Sequence, residues 1–209
     1  MNQPKYTRVK ICGITNIEDA QIAVAAGADA IGLVFYDKSP RNVSIKMAKE
    51  ITMNLSPFIN CVGLFVDAEK EYVNEVLNQT AIDTLQFHGQ EAEQTCAFFN
   101  MPYIKAIRMD STICLPEEIK KYHTARALLL DTYVVDVPGG TGESFDWRVI
   151  PKELSKPIIL AGGLNENNVK EAISQVHPYA VDVSGGVERE KGIKDPDKIK
   201  KFIRETMHA

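Results

Sequence analysis

The sequence predicts a (β/α)8 barrel, and three observations carry that prediction. Apolar strand-like runs alternate with amphipathic helical stretches along the chain, eight such pairs can be read in order, and polar residues with useful chemistry recur where the strands end. Strand-then-helix order argues a parallel sheet, and eight repeats argue a sheet closed on itself. The alternative is an open doubly wound sheet. It usually needs fewer strands and a G-x-G-x-x-G turn after an early one, which Cys12-Gly13-Ile14-Thr15 does not supply.

The first strand is Val9 to Cys12, ended by Gly13, and Asn16-Ile17-Glu18-Asp19 then reads as an N-cap with an acidic residue three positions on, opening a helix from Ile17 to Ala26. Strands follow at Ala30 to Phe35, Cys61 to Val66, Thr84 to His88 and Tyr103 to Ile107, and the last three at Ala127 to Asp131, Pro157 to Leu160 and Ala180 to Val183. The intervening helices fall near Ile45 to Leu55, Lys70 to Gln79, Glu91 to Asn100, Pro116 to Tyr122, Asp146 to Leu154, Asn167 to Gln175 and Pro196 to Thr206. Pro138-Gly139-Gly140-Thr141-Gly142 reads as a mobile loop after the sixth strand.

A chain of 209 residues with 44% hydrophobic content suits one well-buried core, so residues 1–209 are expected to form a single domain. With 24 basic and 28 acidic residues the formal charge is -4, which gives no general attraction to nucleic acid or to anionic lipid; any anion site must be local. The amino terminus lacks an apolar signal core, and Asp29 interrupts the apolar stretch from Ala20 to Phe35, so neither export nor membrane insertion is expected. Cys12, Cys61, Cys96 and Cys114 are widely spaced, with no C-x-x-C pair and no zinc-ligand pattern, and read as free thiols in a cytoplasmic protein. Cys61, Cys96 and Cys114 read as small buried hydrophobes.

Strand alternation sorts the candidate chemistry. In the first strand Lys10 and Cys12 share one face, in the fourth Gln86 and His88, and in the sixth Ala127, Leu129 and Asp131. If the more apolar face packs on helices, Lys10, Cys12, Gln86, His88 and Asp131 turn inward, with Asp182 placed likewise on the eighth strand. Taken alone, Asp131 reads as a helix cap or ion-pair partner and His88 as a structural histidine. Their coincidence with Cys12 and Asp182 at the carboxyl rim, where barrels build their sites, points to an acid-base pair of thiol and carboxyl. Glycines after the last two strands, in Ala161-Gly162-Gly163-Leu164-Asn165 and Ser184-Gly185-Gly186-Val187-Glu188, predict a backbone cradle for phosphate with a short helix behind it. Arg41, after Ser39-Pro40, is placed to offer a guanidinium fork to a carboxylate.

In Val9-Lys10-Ile11-Cys12-Gly13-Ile14-Thr15, Gly27-Ala28-Asp29-Ala30-Ile31-Gly32, Ser39-Pro40-Arg41, Gln86-Phe87-His88-Gly89 and Leu130-Asp131-Thr132, the chain resembles the phosphoribosylanthranilate isomerase family of tryptophan biosynthesis. The resemblance continues through Gly139-Gly140-Thr141-Gly142-Glu143-Ser144-Phe145-Asp146-Trp147, Ala161-Gly162-Gly163-Leu164-Asn165 and Val181-Asp182-Val183-Ser184, over essentially the whole chain. It departs at Gly185, where the family often has a second serine. The resemblance implies an Amadori rearrangement without metal or organic cofactor, on a small phosphoribosyl substrate, by a monomer in preference to a homodimer. It implies Asp131 as general acid and Cys12 as general base, Arg41 with His88 and Asp182 contacting substrate, and Gly142, Gly162, Gly163, Ser184 and Gly185 holding phosphate. The roles suggest that the pKa values of Cys12 and Asp131 approach neutrality from opposite sides, with Lys10 favouring the thiolate. Competing readings are a different phosphosugar barrel isomerase, which would carry other residues at the position of Cys12, and a non-catalytic phosphate-binding barrel, which would need the glycines but not Cys12 with Asp131.

Overall fold

The computed structural model describes residues 6–110, 112–132 and 145–209. Eight parallel strands close into a barrel in sequence order: β1 (Arg8–Cys12), β2 (Ala30–Phe35), β3 (Asn60–Phe65), β4 (Thr84–Phe87), β5 (Tyr103–Met109), β6 (Ala127–Thr132), β7 (Ile158–Leu160) and β8 (Ala180–Val183). Closure is made by β8 on β1, with Asp182 beside Lys10 in register. Around the barrel lie α1 (Ile17–Ala26), α2 (Ile45–Met53), α3 (Lys70–Gln79), α4 (Glu93–Ala97), α5 (Leu115–Lys121), α6 (Val169–Val176) and α7 (Pro196–Met207). Among the described residues no helix is long and apolar enough to cross a membrane.

Local chemistry explains the helix ends. The Asn16 side chain accepts the Asp19 N–H, as the sequence predicts, and Gly27 closes α1 at φ 106°, a left-handed conformation that a side chain would oppose. Asp195 caps α7, with Pro196 at its first position where the missing N–H costs nothing. The predicted helix from Asp146 to Leu154 is a correction: only a 3-10 turn forms, at Trp147–Val149. Ile150 precedes Pro151 and is held extended, as the ring of a following proline dictates, so the turn cannot propagate. The helix expected from Glu91 to Asn100 likewise contracts to α4, because Glu91 turns its carboxylate back toward the barrel. A short hairpin of β9 (Glu188–Glu190) and β10 (Ile193–Lys194), not anticipated, lies between β8 and α7.

Two features of the sheet aim the rim side chains. Parallel register sets Phe35 beside Phe65 and Phe65 beside Phe87, and the rings pack in the helix layer with centroids 5.2 and 6.4 Å apart. Burying each such side chain is worth roughly 1.5–3 kcal/mol, so these three fix which face is outward. Alternation then turns Val34 and Tyr36, Leu64 and Val66, Gln86 and His88 to the interior. The second feature is Lys105, buried on the outer face of β5, whose Nζ donates to Phe87 O (3.2 Å), Gly89 O (2.8 Å) and Glu91 Oε2 (3.1 Å). Glu91 Oε1 in turn accepts the N–H groups of Asp67 and Gly89, so the backbone on both sides of His88 is tied down. Below the rim the interior is filled by Ile104, Ala106, Ala127, Leu129, Ile159, Ala161 and Ala180, a packed plug rather than a pore.

Candidate active site

A cavity of about 550 Å³ opens at the carboxyl end of the barrel, and Cys12, Arg41, His88, Asp131, Gly162, Gly163, Asp182, Ser184 and Gly185 all line it. The sequence-predicted residues are thus brought together, except Gly142, which lies outside the described residues.

Cys12 ends β1 facing inward, in register with Gly32 of β2. A Cβ at position 32 would stand 2.7 Å from Cys12 Sγ and 3.0 Å from Lys10 Nζ, so the glycine makes the space that holds both groups. Lys10 donates to Asp182 Oδ1 at 2.8 Å, deep under the cavity floor. Burial alone would lower the lysine pKa, but the charges of Asp182 and Cys12 outweigh it and hold the ammonium up to about 12. Asp182, expected to contact substrate, is therefore engaged with Lys10. The thiol corrects a second expectation: burial pushes Cys12 up rather than down, against the pull of Lys10, and Asp182 adds to the rise. Lys10 cannot win because burial outweighs its charge.

Asp131 ends β6, where Oδ1 accepts the Thr132 N–H at 2.9 Å and Oδ2 meets His88 Nε2 at 3.0 Å. His88 Nδ1 lies 3.2 Å from Gln86 Nε2. With the amide so oriented, Gln86 donates to Nδ1, which leaves the ring proton on Nε2 aimed at Asp131. Gln86 is fully buried and its Oε1 has no hydrogen-bond partner. Rotating the amide puts an acceptor at Nδ1, the arrangement required when the His88–Asp131 pair carries one more proton. His88, expected to touch substrate, is first of all the partner of the candidate acid. Gly162, at φ 79°, passes so close to Thr132 and Asp131 that a Cβ would strike Thr132 Oγ1.

Next to Gly162, Gly163 (φ 65°) and the 3-10 turn Gly185–Val187 border the cavity, with Ser184 Oγ buried and without a hydrogen-bond partner. A Cβ on Gly186 would overlap Leu164 O, which explains the glycine there. Unpartnered hydroxyl, exposed backbone and small residues suit an oxyanion. Arg41 reaches the cavity but already forks onto Glu188, Nε to Oε1 at 2.7 Å and Nη2 to Oε2 at 2.8 Å. Burial would raise the Glu188 carboxyl, but hydrogen bonds from Arg41 and the charge of Lys194 hold it below the usual glutamate range. Sequence reading quoted Glu188 only as part of a motif and missed Lys194; their one signal was a pair of charges flanking Lys191-Gly192, a turn dipeptide. Val34, Leu64, Tyr36 and Val66 form an apolar wall beside Cys12. Among the described residues no group of three or more His, Cys, Asp or Glu is placed to hold a metal.

Around one cavity the barrel thus gathers a thiol, a histidine-held carboxyl, a guanidinium and a set of glycines, and comparisons with known proteins give the chain a family. The family model described as N-(5'phosphoribosyl)anthranilate (PRA) isomerase matches residues 9–205. An N-(5'-phosphoribosyl)anthranilate isomerase of Pseudomonas putida (strain GB-1) is 57% identical over 98% of this chain and 99% of that protein. The crystal structure of phosphoribosyl anthranilate isomerase from Thermotoga maritima superposes with a TM-score of 0.89 at 39% identity, covering 97% of this chain and 100% of that one. A second structure, of such an isomerase in complex with reduced 1-(o-carboxyphenylamino)-1-deoxyribulose 5-phosphate, gives 0.86 at 39% identity over the same shares. A family match spanning nearly every element of the barrel, with relatives alike over almost the whole of both chains, identifies the chain as a member of the phosphoribosylanthranilate isomerase family.

Proposed function

We propose that Asp131 and Cys12 carry the two proton transfers of the isomerisation, the former as acid and the latter as base. The enzyme converts N-(5'-phosphoribosyl)anthranilate into 1-(2-carboxyphenylamino)-1-deoxyribulose 5-phosphate in tryptophan biosynthesis. Asp131, protonated and oriented by His88, gives its proton to the furanose ring oxygen; the C1'–O bond breaks toward oxygen, and the anilino nitrogen lone pair forms a protonated Schiff base. The Cys12 thiolate takes the C2' proton, the C–H pair becomes the C1'=C2' bond, and the imine electrons return to nitrogen. The enolamine then ketonises. Cys12 ends the step as the thiol, and a proton taken up from solvent by Asp131, matching the one Cys12 released to form the thiolate, restores the starting state.

The raised thiol pKa has a place in this sequence. Little thiolate exists in the unliganded cavity at neutral pH; the cationic Schiff base adds a second positive charge to that of Lys10, so the thiol then releases its proton to solvent and the base forms when it is needed. The apolar wall of Val34, Leu64, Tyr36 and Val66 suits the aromatic ring, Arg41 the ring carboxylate, and the turns of Gly162-Gly163 and Ser184-Gly185 the phosphate. Asp182 and His88 act through Lys10 and Asp131 rather than on substrate.

The observation that carries the reading is the meeting of Cys12 and the His88–Asp131 pair in one cavity. Cys12→Ala and Asp131→Asn are each expected to lower kcat by about 10²- to 10⁴-fold, the range for a positioned acid or base, with KM changed much less. Turnover followed by loss of substrate fluorescence checks this. Near-normal turnover in either variant removes that residue from the mechanism.

A further inference from the structure

Lys194, on β10, does not line the cavity; its side chain is fully buried beneath it. Its Nζ makes two contacts that belong to different ends of the site. It donates to Ser184 O at 3.2 Å, the carbonyl at the head of the phosphate turn, and to Glu188 Oε1 at 3.0 Å, the carboxylate that holds the Arg41 fork. The hairpin register sets Lys194 opposite Glu188, so this meeting is built into the β9–β10 ladder. The surroundings are anchored as well. Lys194 N donates to Asp19 Oδ2 at 2.9 Å, Asp195 N to Val187 O at 2.9 Å, and Lys198 Nζ to Glu188 O at 2.8 Å.

Burying an ammonium is costly, and an apolar side chain of similar length would fill the same volume, so stability alone is a poor reason for a lysine here. What the ammonium supplies is one point tied both to the backbone of one anion subsite and to the counter-ion of the other. We propose that Lys194, acting through Ser184 O and Glu188, is a positioning residue that fixes the separation of the phosphate and carboxylate subsites, and so selects ligands by the distance between their two anionic groups. The proposal rests on the assignment of those two subsites above. Its physical basis is that a ligand with two linked charged groups gains its second contact as an intramolecular step, and loses that advantage when the spacing is wrong.

The test compares whole ligands with fragments. In Lys194→Met, KM and the product inhibition constant are expected to rise about tenfold or more, while the competitive inhibition constants of inorganic phosphate and of anthranilate each move less than about threefold, because a fragment can settle into either subsite alone. Lys194→Arg, which keeps donors for both partners, should recover most of the loss. Parallel weakening of fragments and whole ligand, or an unchanged KM, overturns the proposal. Lys194→Gln serves if the methionine variant does not fold, and failure of both to fold assigns the lysine to folding and overturns it too. Arg41→Ala separates the two levels of the argument: if it leaves anthranilate inhibition unaltered, it is the subsite assignment that has failed.

Discussion

Cys12 has burial and Asp182 pushing its proton on and Lys10 and, more weakly, Lys194 pulling it off, and burial is the largest of the four. The consequence is measurable in the unliganded enzyme. The rate of Cys12 carboxamidomethylation by iodoacetamide, located by mass spectrometry, should keep climbing from pH 7 past 9, the ordinary thiol value being 9.0 and the shift upward. A plateau reached by pH 8 would mean that Lys10 dominates after all. Cys61 and Cys96, pushed up to about 12 by burial, should stay unmodified in folded protein, whereas Cys114, expected from the sequence to be buried, is exposed and should react independently of the cavity. At this scale the sequence was informative about Cys12, His88, Asp131 and Asp182, because strand alternation alone puts them on the inner face. It was silent on Glu188 and Lys194, because the charges of a short polar hairpin look solvated until the barrel rim is folded around them.

Each of the eight strands lies within two residues of where the apolar runs put it, because the helix-facing side chains, Lys105 apart, keep an apolar pattern even where the other face carries Lys10, Gln86, Asp131 or Asp182. The helices were less legible. Propensity could not show that Ile150-Pro151 stops a turn or that Glu91 prefers Lys105 to a helical first turn, and β9 and β10 are too short for any periodicity to register. The interior of β2 offers the sharpest check on how strands build the site. Gly32→Ala adds a Cβ 2.7 Å from Cys12 Sγ and 3.0 Å from Lys10 Nζ, so one of them must move. Overpacking of this kind costs about 1–3 kcal/mol. We expect a modest fall in Tm and a drop in kcat of about tenfold or more, because a reacting atom displaced by an ångström loses far more rate than stability. A variant of normal kcat would mean that Cys12 has room to spare.

The molecule as a whole carries an alkaline weakness. Lys10, raised from 10.5 to about 12, stabilises the fold fully below 10.5, and that contribution is lost as pH rises through about 12. For this buried group it is on the order of 2 kcal/mol. Cys12, Cys61 and Cys96 act with the same sign, because a thiol held protonated in the fold but freed on unfolding favours the unfolded chain above 9.0. The urea midpoint should therefore fall steadily from pH 9 upward, and Lys10→Met should flatten the upper part of the decline. A midpoint level between pH 8.5 and 11 would contradict the buried titrations.

The bond that closes the barrel also sets a clock. Lys10 and Asp182 are 172 positions apart, one on the first strand and one on the last. A ribosome adding roughly 5–20 residues per second makes Cys12 and then leaves it without the ion pair beneath it for about nine to thirty-five seconds. Until the eighth strand emerges, the thiol is an ordinary side chain on an open sheet. We expect the growing chain to be inactive until then, and an interrupted one that ends short of Asp182 to stay inactive.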